Sequence, residues 1–293
     1  MEEETKQNYK NAGKIAREVI EYAKSIIKKD MLLLEIADKI EDKIIELGGK
    51  PAFPTNLSIN EIAAHYTPMH NDETKASGLL KVDLGVAIEG CVADVAFSLD
   101  LEGSEENKNL ILASEEALKS AINEIGKGVE LFKIGKKIQE TIEARKYTPI
   151  VNLCGHEIRE YNLHAGLTLP NYNNNSTIKI NEGVFAIEPF ATNGEGKVID
   201  GGHSGIYKTI SEKTPRDANA RKVLKFIEEE YRTLPFCSRW LVKKFGAGAL
   251  ISLSFLEKDG IIYQFPQLVE RGRGKVAQTE NTVLISDKVE ALA

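Results

Sequence analysis

Apolar positions recur at i, i+3 and i+4 between residues 7 and 28, through Ala12, Ile15, Ala16, Val19, Ile20, Ala23, Ile26 and Ile27. That spacing predicts an amphipathic helix with one buried stripe. A second helix is predicted through Ile36, Ile40 and Ile44, stopping at Gly48-Gly49. A proline-rich loop around PAFPTN and the run NLSINEIAAHYTP follow, and then the period changes from helical to alternating. KVDLGVAIEGCVADVAFSLD, residues 81 to 100, reads as two apolar strands joined by a tight turn at Glu89-Gly90. Beyond Gly103 the order recurs, with helices over 106–125 and 130–146 and strands from Ile150 onward. Two helices followed by strands, twice, predict an α/β (α+β) architecture of two related halves, a curved sheet backed by helices. No sequence-level repeat accompanies this recurrence.

Residues 211 to 257 break the pattern. SEKTPRDANARKVLKFIEEEYRTL predicts a helix opened near Pro215, and SRWLVKKFG and AGALISLSFLEKDG add two short helical stretches. Strands resume at IIYQFPQLV and close with VAQTENTVLIS. The expected organisation is therefore a main domain of residues 1–210 and 258–293 interrupted by a helical subdomain of residues 211–257. Between residues 211 and 246 nine Lys/Arg face five Asp/Glu. This surplus reads either as a solvated helix face or as a surface for RNA or a ribosome.

Composition narrows the setting. The chain has 293 residues, a formal net charge of −6, 42% hydrophobic and 28% charged residues, the make-up of an ordinary globular protein with no bulk attraction to DNA. Its acidic, polar start MEEETKQNYK is not a secretory signal, and no apolar run is long enough to span a membrane. Three scattered cysteines, Cys91, Cys154 and Cys237, suit neither a disulfide framework nor a zinc knuckle. The expected location is the cytoplasm.

Carboxylates standing alone in apolar strands carry the chemistry. Asp83 and Asp94 sit one in each strand of the hairpin. With the turn at Glu89-Gly90, Asp83 pairs with Ala96 and Asp94 becomes its diagonal neighbour, within reach of one shared object. Two edge aspartates facing water are the alternative. Glu188 ends the apolar run Val184–Ile187, with Pro189 closing the ladder, and Glu280 lies between threonines in a strand. NLCGHEIREYNLHAG adds His156 at a strand end and His164. Two like charges about 4 Å apart repel by about 4 kcal/mol at an effective dielectric of 20. Four converging carboxylates would be badly unstable or partly protonated; two divalent cations cancel their charge, and one neutral histidine completes an N/O ligand set. Such a pair of ions is a hydrolytic arrangement.

These segments resemble the metal-site motifs of methionine aminopeptidases. VDLGVAIEGCVADVAFSLD, GHEIREYNLHAG, AIEPFAT and QTENTVLI occur in the family's order, and AAHYTP and PAFPTN resemble two further segments. The resemblance covers residues 5 to 290. It implies the pita-bread fold, with pseudo-two-fold αα-ββ halves and a helical inserted subdomain. The 92 positions between Glu188 and Glu280 are similar to the type II subfamily, and the absence of a long charged extension to archaeal members of it.

Position by position, the resemblance implies that Asp83, Asp94, His156, Glu188 and Glu280 hold two divalent metal ions (Co, Mn, Fe, Zn or Ni). Asp94 and Glu280 would bridge them, Asp83 would hold one, and His156 with Glu188 the other. It makes His164 a hydrogen-bond partner of the substrate carbonyl, His65 a contact of the scissile amide, and Glu188 a proton shuttle. Phe53, Leu163 and Phe265 would line the substrate pocket. Thr279 and Asn281 replace the family's usual Phe and His around Glu280, and Phe265 stands where a tyrosine is usual. The implied activity is removal of the initiator methionine from nascent polypeptides with a small second residue, by a monomer, through metal-activated hydroxide. The rivals are a proline-directed peptidase of the same fold and a non-catalytic protein that docks on ribosomes or RNA through the basic insertion.

Overall fold

The computed structural model describes every residue from Met1 to Ala293. The first half runs α1 (Glu3–Ile26), α2 (Leu33–Glu46), β1 (Lys50–Ile59), β2 (Ile62–Ala64), β3 (Leu79–Ile88) and β4 (Cys91–Asp100). The second runs α3 (Glu105–Glu124), α4 (Leu131–Ala144), β5 (Thr148–Pro149), β6 (Cys154–Ile158), β7 (Thr168–Pro170), β8 (Gly183–Ile187), β9 (Phe190–Thr192) and β10 (Val198–Thr209). Then come α5 (Ala218–Glu230), β11 (Phe236–Cys237), α6 (Ser238–Phe245) and α7 (Gly248–Lys258). β12 (Ile262–Glu270), β13 (Val276–Gln278), β14 (Asn281–Ile285) and β15 (Val289–Ala291) complete the chain. No helix is long and apolar enough to cross a membrane.

The helical stripes do what their spacing requires. Ala12, Ala16, Val19 and Ala23 of α1 and Ile36, Ile40 and Ile44 of α2 are buried against Val82, Leu84 and Val95 of the hairpin. Small alanines let α1 lie close to the strands, and the bulk of each aliphatic residue buried against them contributes roughly 1.5–3 kcal/mol. In the second half Leu110, Ala113 and Ala117 of α3 and Ile134 and Ile138 of α4 pack on Phe185, Val283 and Ile285. Helices α5 to α7 gather around a separate cluster that includes Val223, Ile227, Leu253 and Leu256, closed by Tyr207 and Ile262. They interrupt one antiparallel ladder, since β10 pairs with β12 through Tyr207–Gln264 and Thr209–Ile262.

Four sheets form the strand layer, in the orders β1-β3-β4, β11-β10-β12-β2, β13-β9-β5 and β15-β14-β8-β6-β7. The hairpin has the register read from the sequence, Asp83 opposite Ala96 and Gly85 opposite Asp94. Glu89 and Gly90 both have positive φ, 47° and 81°, the conformation that lets a two-residue turn follow strand twist. A seam joins the halves along alternate residues of β4. The Ser98 hydroxyl donates to the Gln278 carbonyl (2.8 Å) and accepts from its N–H (3.0 Å). Ala96 and Glu280 exchange backbone hydrogen bonds of 3.3 and 2.9 Å. The Thr282 hydroxyl accepts from the Asp94 N–H (2.7 Å) and donates to the Asp94 carbonyl (2.9 Å).

The structure corrects several local expectations. The proline-rich loop is strand β1, whose ladder with β3 shifts register between Pro51 and Phe53 and again between Phe53 and Asn56. As an edge strand it tolerates prolines that cannot donate. The first helix of the insertion starts at Ala218, where the Asp217 side chain accepts from the Ala220 N–H at 2.8 Å, because an N-cap carboxylate defines the start better than Pro215 does. Helix α7 runs to Lys258, one residue beyond the expected boundary. His156 lies within β6, paired with Ala186, rather than at a strand end. Glu280 sits between β13 and β14, where the chain passes from one sheet to the next.

Candidate active site

The seam delivers the carboxylates. Asp83 comes from β3, Asp94 from β4, His156 from β6, Glu188 from the residue after β8, and Glu280 from the crossing point of the two halves. All five line one cavity of about 240 Å³. His156 Nε2 lies 3.6 Å from Asp94 Oδ2 and 3.9 Å from Glu188 Oε1. One ligand atom from each of Asp94, His156 and Glu280 lies within 4.8 Å of the others. Hydrogen bonds to the backbone support this floor, as those of the Thr282 hydroxyl do at Asp94. Asn171, fully buried, donates to the Glu188 carbonyl at 3.1 Å.

Burial dominates the electrostatics. Burial pushes the Asp83 carboxyl up to about 7, against a lowering hydrogen bond from Gln278. Burial first, then repulsion from neighbouring carboxylates, raises Asp94, Glu188 and Glu280 well above the ordinary carboxylate range. Asp83 Oδ1, Asp94 Oδ1, Glu280 Oε1 and His156 Nδ1 are buried with no hydrogen-bond partner. Unpaired buried polar atoms cost roughly 1–3 kcal/mol each, so four together mark a site that something else completes. Burial lowers His156 to about 4, leaving it neutral and able to ligate. Burial also raises the Cys154 thiol to about 11, which keeps this cavity-lining sulfur protonated. Oxygen and imidazole donors without thiolate fit divalent ions of the Mn-to-Zn series.

The cavity walls come from other segments. Phe53, His65, Leu163, His164 and Phe265 all line it, joined by residues that sequence reasoning missed, among them Ile206, Pro235 and Leu268. Phe53 lies over Gly85, where a Cβ would sit 2.4 Å from the aromatic ring, so this glycine makes room for the wall beside Asp94. His65 has φ of 63°, a backbone conformation that a non-glycine residue holds only when its surroundings enforce it. Its Nδ1 bonds the Pro266 carbonyl at 3.1 Å. A carbonyl only accepts, so Nδ1 carries the proton and Nε2 presents a lone pair. The His164 and His156 ring centroids are 4.3 Å apart. Loss of water around it, then His156, His65 and Lys208, hold His164 below its ordinary value although part of it is open to solvent.

Gln278 is the supporting residue the sequence reading passed over. Its amide donates to Asp83 Oδ2 (3.2 Å) and Glu280 Oε2 (3.4 Å). It stands two residues before Glu280, and alternation along the strand was the signal for it. The two unusual neighbours of Glu280 have structural partners elsewhere. Thr279 shares a 2.7 Å hydrogen bond with Ser114 of α3, and Asn281 exchanges hydrogen bonds with the Ala293 backbone.

Comparison with known proteins gives this geometry a context. The family model for metallopeptidase family M24 matches residues 7–287. The methionine aminopeptidase of Pyrococcus abyssi is 48% identical over 279 residues, 94% of each chain. Among solved structures, a thermophilic Arx1 superposes with a TM-score of 0.87 at 15% identity, covering all of this chain and 91% of the other. The methionine aminopeptidase of Thermotoga maritima superposes with a TM-score of 0.71 at 21% identity, covering all of this chain and 97% of the other. These two structural likenesses speak for the fold.

Proposed function

Because the chain belongs to metallopeptidase family M24, we propose, from that membership and the cavity floor, that it is a methionyl aminopeptidase removing N-terminal methionine from polypeptides. One observation carries the reading: five N/O donors, four of them with a buried unpartnered atom, converge at the bottom of a largely apolar cavity. Proline-directed peptidase and non-catalytic docking are not favoured, because the relative at 48% identity is a methionine aminopeptidase and all five donors are present.

In this reading Asp83, Asp94, His156, Glu188 and Glu280 would hold two divalent ions. Bound there, such ions would supply Lewis acidity and a water of lowered pKa as nucleophile at neutral pH. The chain's own groups do the rest. Phe53, Leu163 and Phe265 take the methionine side chain, whose unbranched, flexible thioether suits an irregular apolar pocket. His65, with its lone pair on Nε2, accepts from the N–H of the scissile amide. His164, neutral and at the mouth, donates to the carbonyl oxygen as negative charge develops there. A Glu188 oxygen carries the proton toward the leaving amine. The wall near His65 limits the second residue to small side chains. A monomeric state, a cytoplasmic setting and docking of the insertion on ribosomes belong to the same proposal. Eight of the nine Lys/Arg between 211 and 246 are exposed, Arg239 being the buried one.

Hydrolysis of Met-Ala-Ser, Met-Lys-Ser and Ala-Pro-Ser by the Mn-loaded protein tests the assignment. Met-Ala-Ser is expected to be cleaved, Met-Lys-Ser poorly and Ala-Pro-Ser not at all. Turnover of Ala-Pro-Ser alone would replace the assignment with a proline-directed one.

A further inference from the structure

Two buried charged side chains meet behind the cavity wall without entering the cavity. Glu41 of α2 and Arg239 of α6, 198 positions apart, are 5% and 4% exposed. Arg239 Nη2 and Nη1 donate to Glu41 Oε1 and Oε2 at 2.7 and 2.8 Å, and Trp240 Nε1 donates to Glu41 Oε2 at 2.7 Å. The pair also grips backbone. The Thr55 N–H donates to Glu41 Oε1, and Arg239 Nε donates to the Pro68 carbonyl, both at 3.1 Å. The Thr67 hydroxyl donates to the Thr55 carbonyl at 2.8 Å, so the two gripped segments are also tied to each other. Phe53 lies two residues before Thr55, and His65 three residues before Pro68.

A buried ion pair kept for stability alone can often be replaced by apolar residues without loss. Besides its bonds with Asp38 and Trp240, this one bonds the backbone of the two segments that carry wall residues. A second tie runs the same way. The Arg232 guanidinium lies 4.2 Å from the Tyr161 ring centroid, and the Thr233 hydroxyl donates to the Tyr161 carbonyl, three residues before His164. We propose that Glu41 and Arg239 form a positioning node through which the helical insertion sets where Phe53 and His65 face the substrate. The proposal rests on the peptidase reading above.

Arg239→Lys tests it, because an ammonium keeps the charge beside Glu41 but lacks the rigid fork that reaches Pro68 at the same time. Asp38→Asn, which trims only the exposed partner of Arg239, is the control. Mn-loaded Arg239→Lys is expected to lose at least tenfold in kcat/KM on Met-Ala-Ser, mainly through KM, with Mn per chain unchanged. Backbone hydrogen exchange is expected to speed at residues 53–57 and 65–68 and stay as in the wild type at 91–100 and 281–285. Asp38→Asn is expected to match the wild type in all three measurements. A kcat/KM within twofold of wild type, or a loss of Mn in step with activity, would overturn the node. Should Arg239→Lys fail to fold, Thr67→Val decides, since a raised KM supports the node and an unchanged one overturns it. If the wild type cleaves no Met peptide, the peptidase reading falls alone, and the exchange pattern still judges the node.

Discussion

The floor and the walls of the cavity are held by different physics. The floor is backbone ladder: Asp83 and Asp94 take their places from hairpin register, and Glu280 from the seam at Ala96. A one-residue slip of either strand there would turn its aspartate away from the other, so the ladder that builds the hairpin also sets how the two carboxylates meet. The walls draw on more irregular backbone. His65 and Tyr161 adopt positive φ, and Phe53 sits where β1 shifts register. Side chains hold part of this backbone, Glu41 at the Thr55 N–H and Arg239 at the Pro68 carbonyl. Metal affinity should therefore follow changes in the floor, and substrate affinity changes in the walls.

The largest effect is expected where the floor loses a buried carboxylate. Asp94→Asn keeps the volume and removes the charge. Activity on Met-Ala-Ser should fall by more than the roughly 10–100-fold typical of losing an outer support of a ligand, together with Mn content by atomic absorption. A variant with normal metal and normal activity would remove Asp94 from the floor. Next comes the contrast of two histidines whose rings lie against each other. His164→Ala should lower kcat by roughly 10²–10³-fold, the cost of a lost oxyanion donor, at unchanged metal content. His156→Ala should lose metal. Equal metal loss in both would erase the division between wall and floor.

A smaller effect is expected from pH on the metal-free protein. Burial pushes Asp83 up to about 7 in the folded state and holds the other three carboxylates well above the ordinary range. A raised carboxylate binds its proton more tightly folded than unfolded, so its contribution is present at low pH and lost as pH rises through the folded value. The three cavity histidines, with lowered values, act in the opposite sense below about pH 6.5. The Tm of the metal-free protein should therefore fall between about pH 6.5 and 8, and Mn should reverse the fall. A Tm rising across that window in the metal-free protein would contradict the unpaired-carboxylate floor.

The same contrast explains what the sequence disclosed. Helix periods in α1 and α2, the Glu89-Gly90 turn and the pairing of Asp83 with Ala96 are short-range consequences of alternation and turn chemistry, so they were readable. The lone carboxylates were visible because each breaks an apolar run. The course of β1 was not, since prolines signal a loop unless the strand is known to lie at an edge. The Glu41–Arg239 node was hidden because no local pattern links α2 to α6. Gln278 was within reach but is a common residue with no charge to attract notice.

The most direct measurement is a metal titration of the chelated protein, following turnover of Met-Ala-Ser. Chelation should abolish cleavage, and added Mn should restore it, levelling off at two ions per chain. Full turnover in a sample shown by elemental analysis to be free of metal would contradict the carboxylate floor as a metal centre.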